Sequence, residues 1–314
     1  MRRFAPLLVL TLAALAAMPA VAAPRAAPFT IVETGQGFDT IDAAVQSVRM
    51  GTATILIAPG VYHQCTVQAG GVVTFKAATP GSVIFEGTTC EGKAAFVLRG
   101  QGSVVDGIVF RKMRVADGNG AGIRTEIGDL TVRNATFLDS QEGILGGHPS
   151  RQTIVIDHSS FAGLGQCDQS TDCAHAIYLA NQGSVTITRS RFERGTGGHY
   201  VKLRVPHVTI TDDSFDDTQG TRTNYMIDLP EGATGLIAGN TFVQGRNKEN
   251  WTGFVVVGAE ARTYPSAGLR VEANDARLAP GETRSPAFVA DYSRARLVMA
   301  ANRLGPGVRA FETR

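Results

Sequence analysis

The chain has 314 residues, which is enough for one or two domains. Its formal net charge of +2 becomes 0 without residues 1–22, which hold two arginines and no acidic residue. Global charge therefore argues against nucleic acid or an anionic membrane surface as a partner. The 36 glycines, the aromatic content of 7% and the short β-branched runs favour many short strands over a helical protein.

The N-terminal segment 1–22 has the pattern of a secretory signal peptide. Arg2 and Arg3 precede an apolar run over residues 4–17, and small residues lead to a cleavage site after Ala22. The apolar run is too short for a membrane span, and no later stretch approaches ~20 apolar residues. We therefore expect a periplasmic or secreted protein with one folded domain over residues 28–314.

Two predicted elements open the domain. Residues 38–48 predict an amphipathic helix with Asp39 as its N-cap. Residues 54–62 contain an apolar run that predicts a strand, and the Pro-Gly pair within this segment stops the strand. Because an uncovered strand edge invites aggregation, we expect the helix to cover the N-terminal end of the core.

The rest of the chain repeats a short phrase: apolar, polar and apolar residues, then mostly polar residues, then Phe. Clear copies end at residues 137, 161, 192, 215 and 242, and weaker copies end at Phe110, Ala276 and Leu304. The spacings along the chain are 27, 24, 31, 23, 27, 34 and 28. Such a period indicates a solenoid, and propeller blades would need about 40 residues or more. The strand-like phrases exclude helical repeats. The sequence therefore predicts an all-β parallel β-helix with one coil per repeat and the recurring Phe stacked in its core.

Four cysteines in an exported chain predict two disulfides. Cys167 and Cys173 close a short polar loop. Cys65 and Cys90 are 25 residues apart, so they would lie one coil apart and could join adjacent coils. These spacings are not those of a zinc site.

The sequence resembles the pectate-lyase-like superfamily in three features. They are the helical segment 38–48, the phrase Ile-Ala-Pro-Gly-Val-Tyr that ends at Tyr62, and the repeats that end in Asn-Thr-Phe or Ser-Arg-Phe. Its members are single-stranded right-handed parallel β-helices. The phrases that end at Arg204 (Gly-His-Tyr-Val-Lys-Leu-Arg) and Pro230 (Ile-Asp-Leu-Pro) are similar to ones in exported bacterial β-helix proteins of undefined activity. The resemblance implies the fold, but the superfamily includes lyases, hydrolases, epimerases, esterases and adhesins.

A column of polar residues is the candidate site. Three central segments align on their apolar positions: 175–179, 199–204 and 225–229. Strand alternation then puts Tyr178, Lys202 and Asp228 outward, about 4.8 Å apart in successive coils. The same alternation predicts a second outward column: Ala176, Tyr200 and Met226. A solvated sheet surface with paired charges is the simpler interpretation, but two His, two Tyr, Lys, Arg and Asp on three coils favour a functional cleft.

The residue types suit β-elimination on a uronic acid, in which a base removes the C5 proton beside a neutralised carboxylate. Similar β-helix lyases use Lys or Arg as the base. The resemblance thus implies Lys202 as base and Arg204 as carboxylate clamp, with Tyr178 or His199 as acid. Asp228 would orient Lys202 or hold a metal. Related lyases often use Ca²⁺ with Asp or Glu ligands, which makes calcium the candidate cofactor.

Further residues are candidates for binding an acidic polysaccharide: His175, Tyr200, Tyr225, Arg124, Trp251 and Glu260. A C5-epimerase would use nearly the same residues, and a non-catalytic polysaccharide-binding or surface protein remains an alternative. An inverting glycosidase would need two or three converging carboxylates, and only Asp228 stands in the column. A phage-tail or adhesin role would predict trimerisation segments and many more coils, and neither is visible. We expect a monomer.

Overall fold

The computed structural model describes residue 1 and residues 27–147, 150–169 and 172–314. Apart from Met1, the predicted signal peptide lies outside the described residues. Within these ranges the chain forms one short helix, Ile41–Val48, and short strands in three sheets. None of the helical structure described is long and apolar enough to cross a membrane.

The three sheets run along a β-solenoid of about nine turns, and each coil gives one strand to each sheet. The first sheet contains Gly37–Phe38, Phe29–Ile31, Thr52–Ile57, Val72–Ala77, Gly102–Asp106, Asp129–Arg133, Thr153–Asp157, Ser184–Thr188, His207–Thr211, Thr234–Ala238, Arg270–Glu272 and Val298–Ala300. The second sheet contains Gly60–Tyr62, Val83–Glu86, Ile108–Arg111, Thr136–Leu138, Ser160–Ala162, Arg191–Glu193, Ser214–Asp216, Thr241–Gln244, Asp275–Leu278 and Arg303–Leu304. The third sheet contains Thr66–Gln68, Ala94–Leu98, Ala121–Thr125, Glu142–Gly147, Ile177–Ala180, Val201–Arg204, Ile227–Leu229, Gly253–Val257, Ala287–Asp291 and Arg309–Thr313.

The predicted repeat positions stack in register along the second sheet. Each recurring Phe pairs with the next one, from Phe110 to Phe242, and the weaker copies at Ala276 and Leu304 continue the column. The rings are buried and lie nearly parallel, with centroids 4.8 Å apart for Phe161 and Phe192. This column is one wall of the core, and the predicted all-β parallel solenoid is confirmed.

The helix begins at Ile41, whereas Asp39 as N-cap would start it one residue earlier. Thr40, not Asp39, caps it: the Thr40 hydroxyl accepts from the backbone N–H of Ala43 at 3.2 Å. The apolar face of Ile41–Val48 is buried against the first strands of the solenoid, so the helix covers the N-terminal end of the core as expected.

Both predicted disulfides are present. Cys65 and Cys90 join adjacent coils, with Cα atoms 5.5 Å apart. Cys167 and Cys173 close the short polar loop, with Cα atoms 4.3 Å apart. Disulfides of this kind are typical of an oxidising compartment.

Candidate functional site

The predicted polar column lies on the outer face of the third sheet. Tyr178 pairs with Lys202, and Lys202 pairs with Asp228, in consecutive strands. The same column continues as Leu145 in one direction and Val256 in the other. The polar part therefore spans three coils and is bounded by apolar residues at both ends.

Strand alternation breaks where these strands begin. Tyr200 and Val201 are consecutive, yet both are buried in the core. The matching pairs in the neighbouring coils behave in the same way: Ala176 with Ile177, and Met226 with Ile227. The expected second outward column is therefore wrong, and Tyr200 points inward, where its hydroxyl donates to Asp217 Oδ1 at 2.8 Å. The break instead leaves His175 and His199 on the cleft side.

His175 and His199 form a pair across adjacent coils. Their ring centroids are 4.9 Å apart, and the backbone N–H of His199 donates to Nδ1 of His175 at 3.0 Å. Burial lowers the pKa of His175 to about 3 and holds the pKa of His199 well below its usual range. Both rings are therefore neutral at neutral pH.

Lys202 and Arg204, which we call the clamp, together hold one carboxylate. Lys202 Nζ lies 2.8 Å from Glu260 Oε1, and Arg204 Nη2 binds Glu260 Oε2. Arg204 also donates through Nη1 to Glu231 Oε1 at 2.7 Å and through Nε to the Tyr178 hydroxyl at 2.9 Å. The clamp thus binds an acidic group with one oxygen on each cation.

Asp228 lies beneath the clamp and is 3% exposed. Its Oδ2 is 3.4 Å from His199 Nε2 and 3.9 Å from Lys202 Nζ, and its Oδ1 is buried without a hydrogen-bond partner in the described part of the chain. Burial raises the pKa of Asp228 to about 7, although the nearby Lys202 ammonium opposes that rise. Its carboxyl group therefore changes charge near neutral pH.

Glu142 is a site residue that the sequence interpretation missed. Ile144 pairs with Ile177, so Glu142 occupies the coil position that His175 occupies in the next coil. Its Oε1 accepts from the backbone N–H of His175 at 3.4 Å, and its Oε2 is buried without a partner among the described residues. Burial raises the pKa of Glu142 well above its usual range, which favours the protonated form of the carboxyl group. Aligning Glu142–Gly147 with the three central segments would have revealed it.

These residues line a cleft of about 610 Å³. Its lining consists of Asn119, Glu142, Asp172, Cys173, His175, Tyr178, Gly198, His199, Lys202, Arg204, Asn224, Glu249 and Glu260. Most of the predicted site residues are here, and Asp228 lies directly below. Asn119, Asp172, Asn224 and Glu249 come from loops and had no signal in the strand pattern.

Besides the buried Tyr200, three more candidate binding residues do not line the cleft. Tyr225 follows His199 on the outer face, with ring centroids 5.5 Å apart, but its hydroxyl accepts from Asn250 Nδ2 at 2.6 Å. Arg124 is in the predicted column two coils from Tyr178, and its Nε is buried without a hydrogen-bond partner in the described ranges. Trp251 packs under the guanidinium of Arg284, 5.6 Å from the ring centroid.

The described residues do not present a set of ligands that fits calcium. The one group of potential ligands close enough to share an ion is Cys167, Cys173 and Glu249, among the residues that the structure describes. The two cysteines are joined in a disulfide, so neither is a thiolate. Calcium requires six to eight oxygen ligands, which this group does not supply.

Comparison of the chain with family models, curated proteins and solved structures gave no significant match.

Proposed function

We propose that this chain is an exported, carbohydrate-active protein of the pectate-lyase-like superfamily that cleaves uronic-acid polysaccharides by β-elimination. The parallel β-solenoid with a helix over its N-terminal end supports the superfamily. The two disulfides and the signal-like segment 1–22 support export. A polar cleft on the outer face of one sheet supplies the candidate site.

One observation carries the proposal: the clamp formed by Lys202 and Arg204 already holds a carboxylate, that of Glu260. A uronic acid presents the same group. The Glu260 side chain is 46% exposed and follows the end of the strand Gly253–Val257, so it can turn into solvent without disturbing the core. A substrate carboxylate can therefore take its place between the two cations.

Elimination needs the carboxylate charge to be neutralised before the C5 proton becomes acidic. Arg204 supplies that charge and is itself fixed by Glu231. Once the substrate displaces Glu260, Lys202 Nζ faces the sugar. After it has released one proton to solvent, its neutral amine accepts the C5 proton. The electron pair of the C5–H bond then forms the C4–C5 double bond, and the C4–O bond breaks.

The leaving C4 oxygen needs a proton, and Tyr178 is placed to give it. Its oxygen accepts from Arg204 Nε at 2.9 Å, which leaves the O–H proton free for another acceptor. The Tyr178 ring lies 5.5 Å from Lys202 Nζ, so base and acid stand side by side. His199 is the less suitable acid, because it is buried and in contact with Asp228.

A C5-epimerase would use the same proton abstraction and return a proton to the other face of C5. Its product keeps the glycosidic bond, so chain length separates the two activities. Hydrolysis has one supporting observation, the raised pKa of Glu142, since a glycosidase acid needs such a group. Glu142, however, is only 1% exposed, which argues against its contact with a glycosidic oxygen.

The test is the ultraviolet absorbance of the unsaturated sugar that elimination creates, measured with purified protein and a panel of uronic-acid polysaccharides. We expect absorbance to rise with at least one substrate and the Lys202→Ala variant to lose this rise while circular dichroism stays unchanged. Lys93→Ala is the matched control, because Lys93 is also paired with two carboxylates, at 3.2 and 2.8 Å, but lies outside the cleft.

No rise with any polysaccharide refutes the lyase assignment for that panel. If a substrate is bound and its C5 configuration changes without chain cleavage, the protein is an epimerase. Binding alone assigns it to the non-catalytic class.

A further inference from the structure

His175 has one ring nitrogen engaged by the protein and one that is open. Nδ1 accepts the backbone N–H of His199 at 3.0 Å. A nitrogen that accepts carries no proton, so the neutral ring carries its proton on Nε2. Nε2 has no hydrogen-bond partner within the described ranges, and the side chain, 8% exposed, lines the cleft. The open N–H therefore points to an acceptor that comes from outside the protein.

The ring is also fixed in place. Gly198 has φ of +58°, and a Cβ at this position would lie 2.5 Å from His175 Nδ1. Glycine thus permits the close approach through which the His199 N–H reaches the ring. The edge of the ring meets Tyr178, with centroids 5.4 Å apart and planes at 88°. The N–H direction is set before any ligand binds.

His175 stays uncharged under the conditions in which the site would work. Burial lowers its pKa to about 3, and the Lys202 and Arg204 cations act in the same direction. Of the charged groups that face His175 in the described part of the chain, Glu260 acts in the opposite direction and raises its pKa. Glu260 is also the carboxylate that the substrate would displace. The neighbouring His199 is neutral as well.

We propose that His175 is a catalytic residue that acts as an uncharged hydrogen-bond donor, with its Nε2–H bound to the carboxyl group of the uronic acid; this rests on the proposed function. When the C5 proton leaves for the base, the C–H electron pair moves toward the carboxyl group and negative charge grows on its oxygens. That pair then becomes the C4–C5 double bond as the C4–O bond breaks. His175 transfers no proton in this sequence.

A neutral donor at a fixed position gains binding energy as the charge grows, whereas the clamp already binds the ground-state carboxylate strongly. His175 should therefore act on kcat more than on KM. His175→Ala is expected to lower kcat by about 10²-fold, the usual effect of removing one such donor. His175→Gln should recover much of this loss, because its amide also offers an uncharged N–H.

The matched control is His207→Gln, since His207 is exposed on a strand of the first sheet and lies outside the cleft. This variant should leave both kinetic constants unchanged. The pH profile of His175→Gln should keep the acid limb of the parent protein, because the replaced ring does not titrate there. Unchanged kcat in His175→Ala overturns the proposal.

A second measurement separates this proposal from the lyase assignment. Ring-nitrogen NMR shifts, with His175 identified by its loss in His175→Gln, should report the neutral Nε2–H form at neutral pH. The Nε2 signal should move when uronic-acid tetrasaccharides are added. A charged ring, an Nδ1–H form, or a signal that no tetrasaccharide moves overturns the proposal. A shift without any elimination product leaves His175 as a carboxylate-binding donor and refutes only the lyase assignment.

Discussion

Asp213 offers a quantitative test of the structure, because the next two residues of its column, Asn240 and Asn274, carry amides. At one corner of the solenoid, a side-chain oxygen of each coil accepts a backbone N–H of the preceding coil. Asp213 Oδ1 accepts from Ser190 at 2.6 Å, Asn240 Oδ1 from Asp213 at 2.9 Å, and Asn274 Oδ1 from Asn240 at 3.0 Å. Asn240 also donates through Nδ2 to the carbonyl of Ile210 at 2.9 Å. An ionised Asp213 has no hydrogen with which to do the same.

The consequence is a stability that depends on pH. Asp213 Oδ2 is buried without a partner in the described chain, and burial raises the pKa of Asp213 from 3.8 to about 8. The folded state therefore keeps a proton that the unfolded state releases between these two values, so stability falls as pH rises. At about 1.4 kcal/mol per pH unit, the loss at neutral pH approaches about 4 kcal/mol.

Asp213→Asn should remove this loss. Its new amide can donate to the carbonyl of Ile187, which pairs with Ile210 one coil along. We expect a higher urea midpoint than in the parent protein, with a difference that grows from about pH 4 to about pH 8. Asn240→Asp is the matched control and should lose stability over the same interval. A difference between Asp213→Asn and the parent that is independent of pH would refute the assigned cause.

Two further variants distinguish a residue of the site, Glu260, from a residue of the core, Tyr200. Glu260→Gln should lower KM for a uronic-acid substrate by about 5-fold, since the amide competes more weakly for Lys202 and Arg204; steady-state kinetics checks this, and a higher KM would instead make Glu260 a substrate ligand. Tyr200→Phe should cost about 1–3 kcal/mol in urea unfolding, because Asp217 loses a buried donor. Its kcat and KM should stay unchanged, and a selective loss of activity would return Tyr200 to the cleft.

The register of the solenoid was predictable because its core requires the same residue in each coil. A Phe that recurs every 23 to 31 residues identifies one inward position per coil, and parallel pairing then aligns all the others. This is why Tyr178, Lys202 and Asp228 could be placed in one column without coordinates. It is also why the bridge between Cys65 and Cys90 could be foreseen.

The break in alternation was not predictable from polarity. Tyr200 is amphipathic, so its sequence position fits either face, and only the buried partner Asp217 decides between them. The contact between Glu260 and Lys202 joins residues 58 positions apart through a bend after a strand, and such loop geometry leaves no period in the sequence. Glu142 was missed because Leu145, not a polar residue, occupies the column in its coil.

Comparison of adjacent coils supports a functional origin for the polar column. Val256 occupies in the next coil the position of Asp228, in the same register and equally buried. The fold therefore accepts an apolar residue at this place, and a buried carboxyl group with an unpartnered oxygen in the described chain carries a desolvation penalty that valine avoids. Packing does not account for Asp228, whereas its contacts with His199 and Lys202 do. A carboxyl group with a pKa of about 7 beneath a carboxylate clamp is consistent with the proton transfer that we propose for this site.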